Sequence, residues 1–258
     1  MRSSSNPAFR NLPTMTGGGG YATFDQSQRG YPSAPATQAP VDRRPMTIDD
    51  VVTKTAIMLG LLAVTGALTW ISGLWELALP AALIGFVLAL VITFKKSISP
   101  PLVLAYAALE GVFLGGISGL FNARFPGIVI QAVVGTVAVF AGMLVVYKTG
   151  AIRVTPKLTK WIIGSLIGVV ALMLVNLIAS FFIPGGLGLR DGGALAIIFS
   201  LVCIGVAAFS FLLDFDAADQ AIRAGTPAKF AWYIAFGLTV TLVWLYLEIL
   251  RLLSYFRE

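Results

Sequence analysis

Residues 194–214 read Ala-Leu-Ala-Ile-Ile-Phe-Ser-Leu-Val-Cys-Ile-Gly-Val-Ala-Ala-Phe-Ser-Phe-Leu-Leu-Asp, an uncharged apolar run that closes on Asp214. About 20 such residues are what an α-helix needs to cross a hydrocarbon core of ~30 Å, and nothing in the run breaks a helix. Six further runs of similar character lie near 52–72, 77–94, 101–121, 127–147, 161–183 and 231–253, the second being the shortest. Seven spans are therefore predicted, in an all-α integral membrane protein. The composition agrees: 57% of residues are hydrophobic, 12% are charged and the mean hydropathy is +0.88. A soluble domain carries about 25% charged residues, so this chain cannot clothe itself for water and its main partner is the lipid bilayer.

The segment before the first run differs. Residues 1–45 are rich in Gly, Ser, Pro and Gln, including the run Gly17 to Gly20, and cannot bury enough apolar surface to offset the entropy of ordering. They are expected to form a disordered tail without an apolar signal-peptide core, followed by a transmembrane domain over 46–258. In Met46-Thr47-Ile48-Asp49-Asp50, Thr47 can cap a helix while Asp50 reaches back to its amide, a variant of the capping box.

The basic residues between the runs set the orientation. Eleven lie on the side shared with the N-terminus (Arg43, Arg44, Lys54, Lys95, Lys96, Lys148, Arg153, Lys157, Lys160, Arg223, Lys229), against four opposite (Arg124, Arg190, Arg251, Arg257). Positive charge accumulates on the cytoplasmic side, which puts the N-terminus in the cytoplasm, the C-terminus outside, and the chain in the cytoplasmic (inner) cell membrane. The same scatter argues against nucleic acid as the reason for the net charge of +6. Glycines mark where helices can approach closely: Gly111, Gly115 and Gly119 in the third run, Gly164 and Gly168 in the fifth.

With no histidine and a single cysteine, Cys203, imidazole bases, Cys/His metal cages and intramolecular disulfides are excluded. Any chemistry falls to carboxylates, which are costly in a membrane helix and so informative. Glu110 lies in the glycine-rich third run, as a helix-to-helix hydrogen bonder or a residue of an ion path. Asp214, Asp216 and Asp219 end the sixth. Positions two apart point about 200° away from each other, so Asp214 and Asp216 cannot both face inward, and one should turn to the interface or to Arg223. Glu248, within Val-Trp-Leu-Tyr-Leu-Glu-Ile-Leu-Arg-Leu-Leu (243–253), must be neutral, pair with Arg251 three residues on, or meet an acidic partner from the sixth span. In that last case the two carboxyls would share a proton, and the pair would be a proton-sensitive latch or a transient cation site. An all-oxygen ligand set of Asp214, Asp216 and Glu248 suits a hard cation such as Ca²⁺. Asn176 and Gln131 are expected to hydrogen-bond between helices, Cys203 to fill the core, and the glycine-rich 185–192 to form an interspan turn. No cofactor is expected to be tightly bound, and the sequence sets no oligomeric state.

Three stretches, Tyr-Ala-Ala-Leu-Glu-Gly-Val-Phe-Leu-Gly (106–115), Phe-Ser-Phe-Leu-Leu-Asp-Phe-Asp (209–216) and Leu-Tyr-Leu-Glu-Ile-Leu-Arg-Leu-Leu (245–253), resemble the Bax inhibitor-1 (transmembrane BAX inhibitor motif) family, in particular its bacterial and actinobacterial branch. The resemblance covers roughly 46–258. It implies a central seventh helix wrapped by two three-helix layers, and a pH-sensitive leak with Ca²⁺ as the permeant ion. It also implies a gating pair of acidic residues, which falls on Asp216, with Asp214 a close competitor, and on Glu248, where the family has aspartate. Lys95 or Lys96 could be the latch partner on the inner side. Gating by this pair faces a difficulty: a seventh helix starting near Pro227 puts Glu248 about 31 Å along its axis, out of reach of Asp216. Pairing would need residues near 222–235 to form an interfacial extension, which Trp232 and Tyr233 would suit. The alternative function is a non-transporting interaction protein that modulates a membrane-anchored AAA protease or a stress response, its tail recruiting the partner. An enzyme is not expected, because the Tyr-Asp plus Gly-x-Gly-Asp arrangement of intramembrane aspartyl proteases is missing.

Overall fold

A computed structural model describes residues 44–95 and 99–257. Among them are seven helices long and apolar enough to span a membrane. They are α1 (Ile48–Ser72), α2 (Ala78–Phe94), α3 (Pro100–Arg124), α4 (Ile128–Thr149), α5 (Pro156–Ser180), α6 (Ala194–Arg223) and α7 (Ala231–Tyr255), with short 3₁₀ turns before α2 and α7. Each predicted run lies on one of these helices. Thr47 caps α1, and Asp50 closes the capping box by accepting from the Thr47 amide at 3.0 Å. Thr155 and Pro156 start α5 in the same spirit, the Thr155 hydroxyl accepting from the Leu158 amide. Helix α6 is the longest. Its 30 residues rise ~45 Å, more than the hydrocarbon core, so its Asp216–Arg223 end extends past the core.

The last helix is the most buried of the seven and packs against α6, α1, α4 and α3. Helices α1 and α2 each pack on α3, and α4 and α5 each pack on α6. The α1–α3 contact is the closest. A Cβ built on Gly111 would overlap the Thr65 hydroxyl and the Leu62 carbonyl, one on Gly115 the backbone of Gly66, and one on Gly119 the Trp75 ring. The backbones can therefore touch only because these residues carry no side chain, as the GxxxG spacing implies.

Three expectations are corrected. Gly164 and Gly168 face open space, because α5 is peripheral and contacts only α6 closely, so their spacing reports no contact within this chain. Asn176 bonds its own loop: its side-chain oxygen accepts from the Leu187 amide at 2.9 Å. Residues 222–235 comprise the end of α6, the connecting turn, a 3₁₀ turn over Ala228–Phe230 and the first turn of α7, which begins at Ala231. The folded part also starts before 46. The Met46 amide donates to the Thr226 carbonyl and the Ala228 amide to the Arg44 carbonyl, both at 2.8 Å, while Met46 is buried. Arg44 and Pro45 thus clasp the α6–α7 turn, and the remainder of the expected tail, 1–43, lies outside the described residues. Gln131 of α4 accepts at 2.8 Å from Arg257, just past the end of α7, and Cys203 is fully buried as expected.

Candidate ion path and arginine clamp

Helix α7 presents two polar faces. Residues seven apart share a face on a helix, and residues two apart point away from each other. Thr239 and Tyr246 form one face: the Thr239 hydroxyl reaches Met58 Sδ of α1 at 3.8 Å, and Tyr246 shares a 2.6 Å hydrogen bond with Ser118 of α3. Thr241 and Glu248 form the other, toward α6. There the Thr241 hydroxyl donates to Asp214 at 2.8 Å.

Two turns on, Glu248 is only 1% exposed, yet it is densely partnered. Arg190 donates to its two carboxylate oxygens at 2.9 and 3.3 Å, Arg251 donates at 3.2 Å, and the Ser200 hydroxyl of α6 lies at 3.4 Å. Arg190 arrives from the α5–α6 loop. Its approach depends on that loop folding tightly, with Gly185, Gly186, Gly188 and Gly192 all at positive φ. Gly186 also lies so close to Asn176 that a Cβ there would crowd the Asn176 carbonyl. The Arg190 guanidinium then rests over the Phe199 ring, 5.4 Å from its centroid.

The structure does not bring Glu248 to either aspartate. Asp214 is held beside Thr241, seven residues and ~10 Å of helix rise below Glu248, and the sixth-helix aspartate that faces inward is Asp214, not Asp216. Asp216 turns outward and accepts from Gln220 at 2.5 Å, while Asp219 takes Arg223 as its partner at 2.8 Å. Arg251 does pair with Glu248, but together with Arg190, whose part was not legible. Among the described residues no three acidic or cysteine side chains converge as a metal site, so Asp214, Asp216 and Glu248 do not form the expected Ca²⁺ ligand set. Lys95 ends α2 exposed and is not a partner of either aspartate, and Lys96 lies outside the described residues. Glu110 sits apart, on the α2 side of α3. Its Oε1 faces Gly85, and its buried Oε2 has no hydrogen-bond partner among the described residues.

The missed residue had a signal. A lone carboxylate in an apolar helix needs a cation, and Arg190 was a basic residue on the side that should be poor in them. What pattern could not supply was the glycine-dependent fold of the loop, which carries that arginine back to α7.

Seven apolar helices, the last of them the most buried, with Asp214 and Glu248 on the α6–α7 seam, define a polytopic membrane protein. The family model described as Bax inhibitor 1 like matches residues 6–258, and the chain belongs to that family. The match begins well before residue 46, so it takes in most of the N-terminal segment as well as the helices. No individually curated protein matches the chain.

Proposed function

We propose that the protein is a calcium-permeable, proton-regulated leak along the α6–α7 seam, with the N-terminus in the cytoplasm of a cell whose inner membrane it spans. The reading rests above all on the clamp at Glu248. Two guanidiniums on one carboxylate leave a surplus positive charge across the outer part of the seam, which repels a cation. They also occupy the oxygens a calcium ion would need, since Ca²⁺ seeks six to eight oxygen ligands. The arrangement is that of a shut passage. Asp214, held by Thr241 two turns below, is the acidic station an ion would meet once the clamp opens. Protonation of Glu248 removes the charge that draws in Arg190 and Arg251, and Arg190 sits on a glycine-rich loop able to swing away. The gate thus works through a carboxylate and two arginines, with Asp214 along the path and not as the partner of Glu248. Orientation follows from the 11 basic residues on the N-terminal side against four on the other.

Vesicles reconstituted with the purified chain and loaded with a calcium dye test this. Influx is expected to rise as the bath is taken from mildly basic to mildly acidic pH. Arg190→Ala should raise influx at neutral pH, and Asp214→Asn should lower it in both backgrounds. Flux equal to that of empty vesicles at every pH, from protein shown to be folded, would end this reading.

A further inference from the structure

The four arginines on the outer side do not spread over the loops; three of them line one cavity. Between the outer ends of α3 and α7 lies a recess of ≈ 320 Å³ walled by Arg124, Arg190 and Arg251 and floored by Phe121, Phe125 and Tyr255. Glu248 offsets one of the three positive charges. Arg124 makes no ion pair among the described residues; its guanidinium stacks 5.6 Å from the Phe125 centroid. Each guanidinium carries five N–H donors. Arg190 gives two of these to Glu248 and Arg251 gives one, and both side chains keep part of their surface open, at 22% and 33%. The nearest other carboxylate of the loop, Asp191, is turned to its own backbone, accepting from the Gly193 amide at 3.0 Å. The recess therefore combines a surplus of about two positive charges, unused planar donors and an aromatic floor.

We infer that this recess binds a phosphate-type oxyanion, either the headgroup of an anionic phospholipid or a soluble phosphate. Guanidinium forks match phosphate oxygens in geometry and charge, and dispersed arginines make bidentate contacts that a lysine cluster would not. The aromatic floor and Leu120 at its edge give apolar surface alongside the charged wall, as a lipid with its phosphate among the arginines would require. Because binding is read directly, the inference stands whether or not the seam conducts.

Native mass spectrometry of the full chain, released from micelles containing equal phosphatidylglycerol and phosphatidylcholine, reads the lipid arm. A thermal melt in inorganic phosphate against chloride at equal ionic strength reads the soluble arm. Retention of phosphatidylglycerol over phosphatidylcholine assigns the site to a lipid, and a phosphate-specific rise in melting temperature without lipid retention assigns it to a soluble anion. In either case Arg124→Gln, at an exposed position without an ion pair and so benign to folding, should weaken binding about tenfold, the loss expected for one charge-assisted contact. Equal retention of both lipids with no phosphate effect, or binding unchanged in Arg124→Gln, would overturn the inference.

Discussion

Replacing Glu248 with Gln keeps the shape of the side chain and removes its charge, leaving Arg190 and Arg251 facing each other across a neutral amide. Removing one member of a buried ion pair typically costs ~3–5 kcal/mol, because the other charge stays buried and unpaired. Here the carboxylate is fully buried while the guanidiniums retain 22% and 33% of their side-chain exposure, so water recovers part of the loss. The glutamine oxygen can still accept from one arginine. About 2 kcal/mol remains, roughly a 30-fold shift in the folding equilibrium. Arg190→Ala should cost less, about 1 kcal/mol, since Arg251 continues to neutralise Glu248 at 3.2 Å. Joined in one chain, the two changes should cost less than their sum by about 1 kcal/mol, because each removes the partner that the other leaves unpaired. Unfolding in mixed micelles titrated with a denaturing detergent, followed by tryptophan fluorescence, measures all three variants. A Glu248→Gln protein within about 0.5 kcal/mol of the parent, or strict additivity with Arg190→Ala, would refute the reasoning that the clamp is a coupled, desolvated unit.

The glycine contacts make a sharper contrast. Gly115→Ala places a Cβ in the Gly66 backbone and should cost ~3 kcal/mol or prevent assembly, while Gly168→Ala, in open space, should change the melting temperature little or raise it slightly. Tyr246→Phe and Ser118→Ala each remove the 2.6 Å hydrogen bond between α7 and α3 and should each cost about 1 kcal/mol, with the double variant costing scarcely more than either, as a double-mutant cycle in detergent would read. Arg44→Ala leaves Asp50 without its guanidinium, but half of the Arg44 side chain is exposed, so the loss should be small and shrink in high salt. Asp50→Ala should cost more, because the capping box at Thr47 goes with it.

The spans were legible because the lipid core imposes one length and one composition on every helix, and the boundaries drift only where polar residues extend a helix past the core, as at the Asp216–Arg223 end of α6. The cap at Thr47 was legible because it is local. The glycines of α3 were read correctly and those of α5 were not, since GxxxG spacing states that a close approach is possible and not that a partner helix is there. Glu248 needs a partner, and of the two that the sequence offers, Arg251 on the same helix is in place and an acidic group from α6 is not. Burial alone could not distinguish an acidic neighbour from a cation delivered by a loop, and helix arithmetic already put Asp216 out of range. The competition between Asp214 and Asp216 turned on rotation about α6, which the neighbouring Thr241 settles and periodicity could not.

The two faces of α7 differ in what holds them, and that difference decides which of them can move. In a bilayer lipid tails are as apolar as leucine, so helices are held by close packing of small residues and by polar contacts. The α1–α3 pair uses the first device: its glycines bring backbone against backbone, and no proton or ion alters that contact. The side of α7 that meets α1 and α3 adds hydroxyls, Thr239 and Tyr246, which stay neutral across the physiological range. The seam with α6 uses carboxylates, Asp214 on a threonine and Glu248 between arginines, and each of these contacts changes strength when a proton arrives or a cation competes. On α7 itself, then, the side that meets α1 and α3 carries uncharged groups and the side that meets α6 carries a titratable one. At the clamp a loop supplies one of the two cations, Arg190, and α7 itself the other, Arg251. Under the proposed gating, withdrawal of Arg190 with its glycine-rich loop would require no span to unpack.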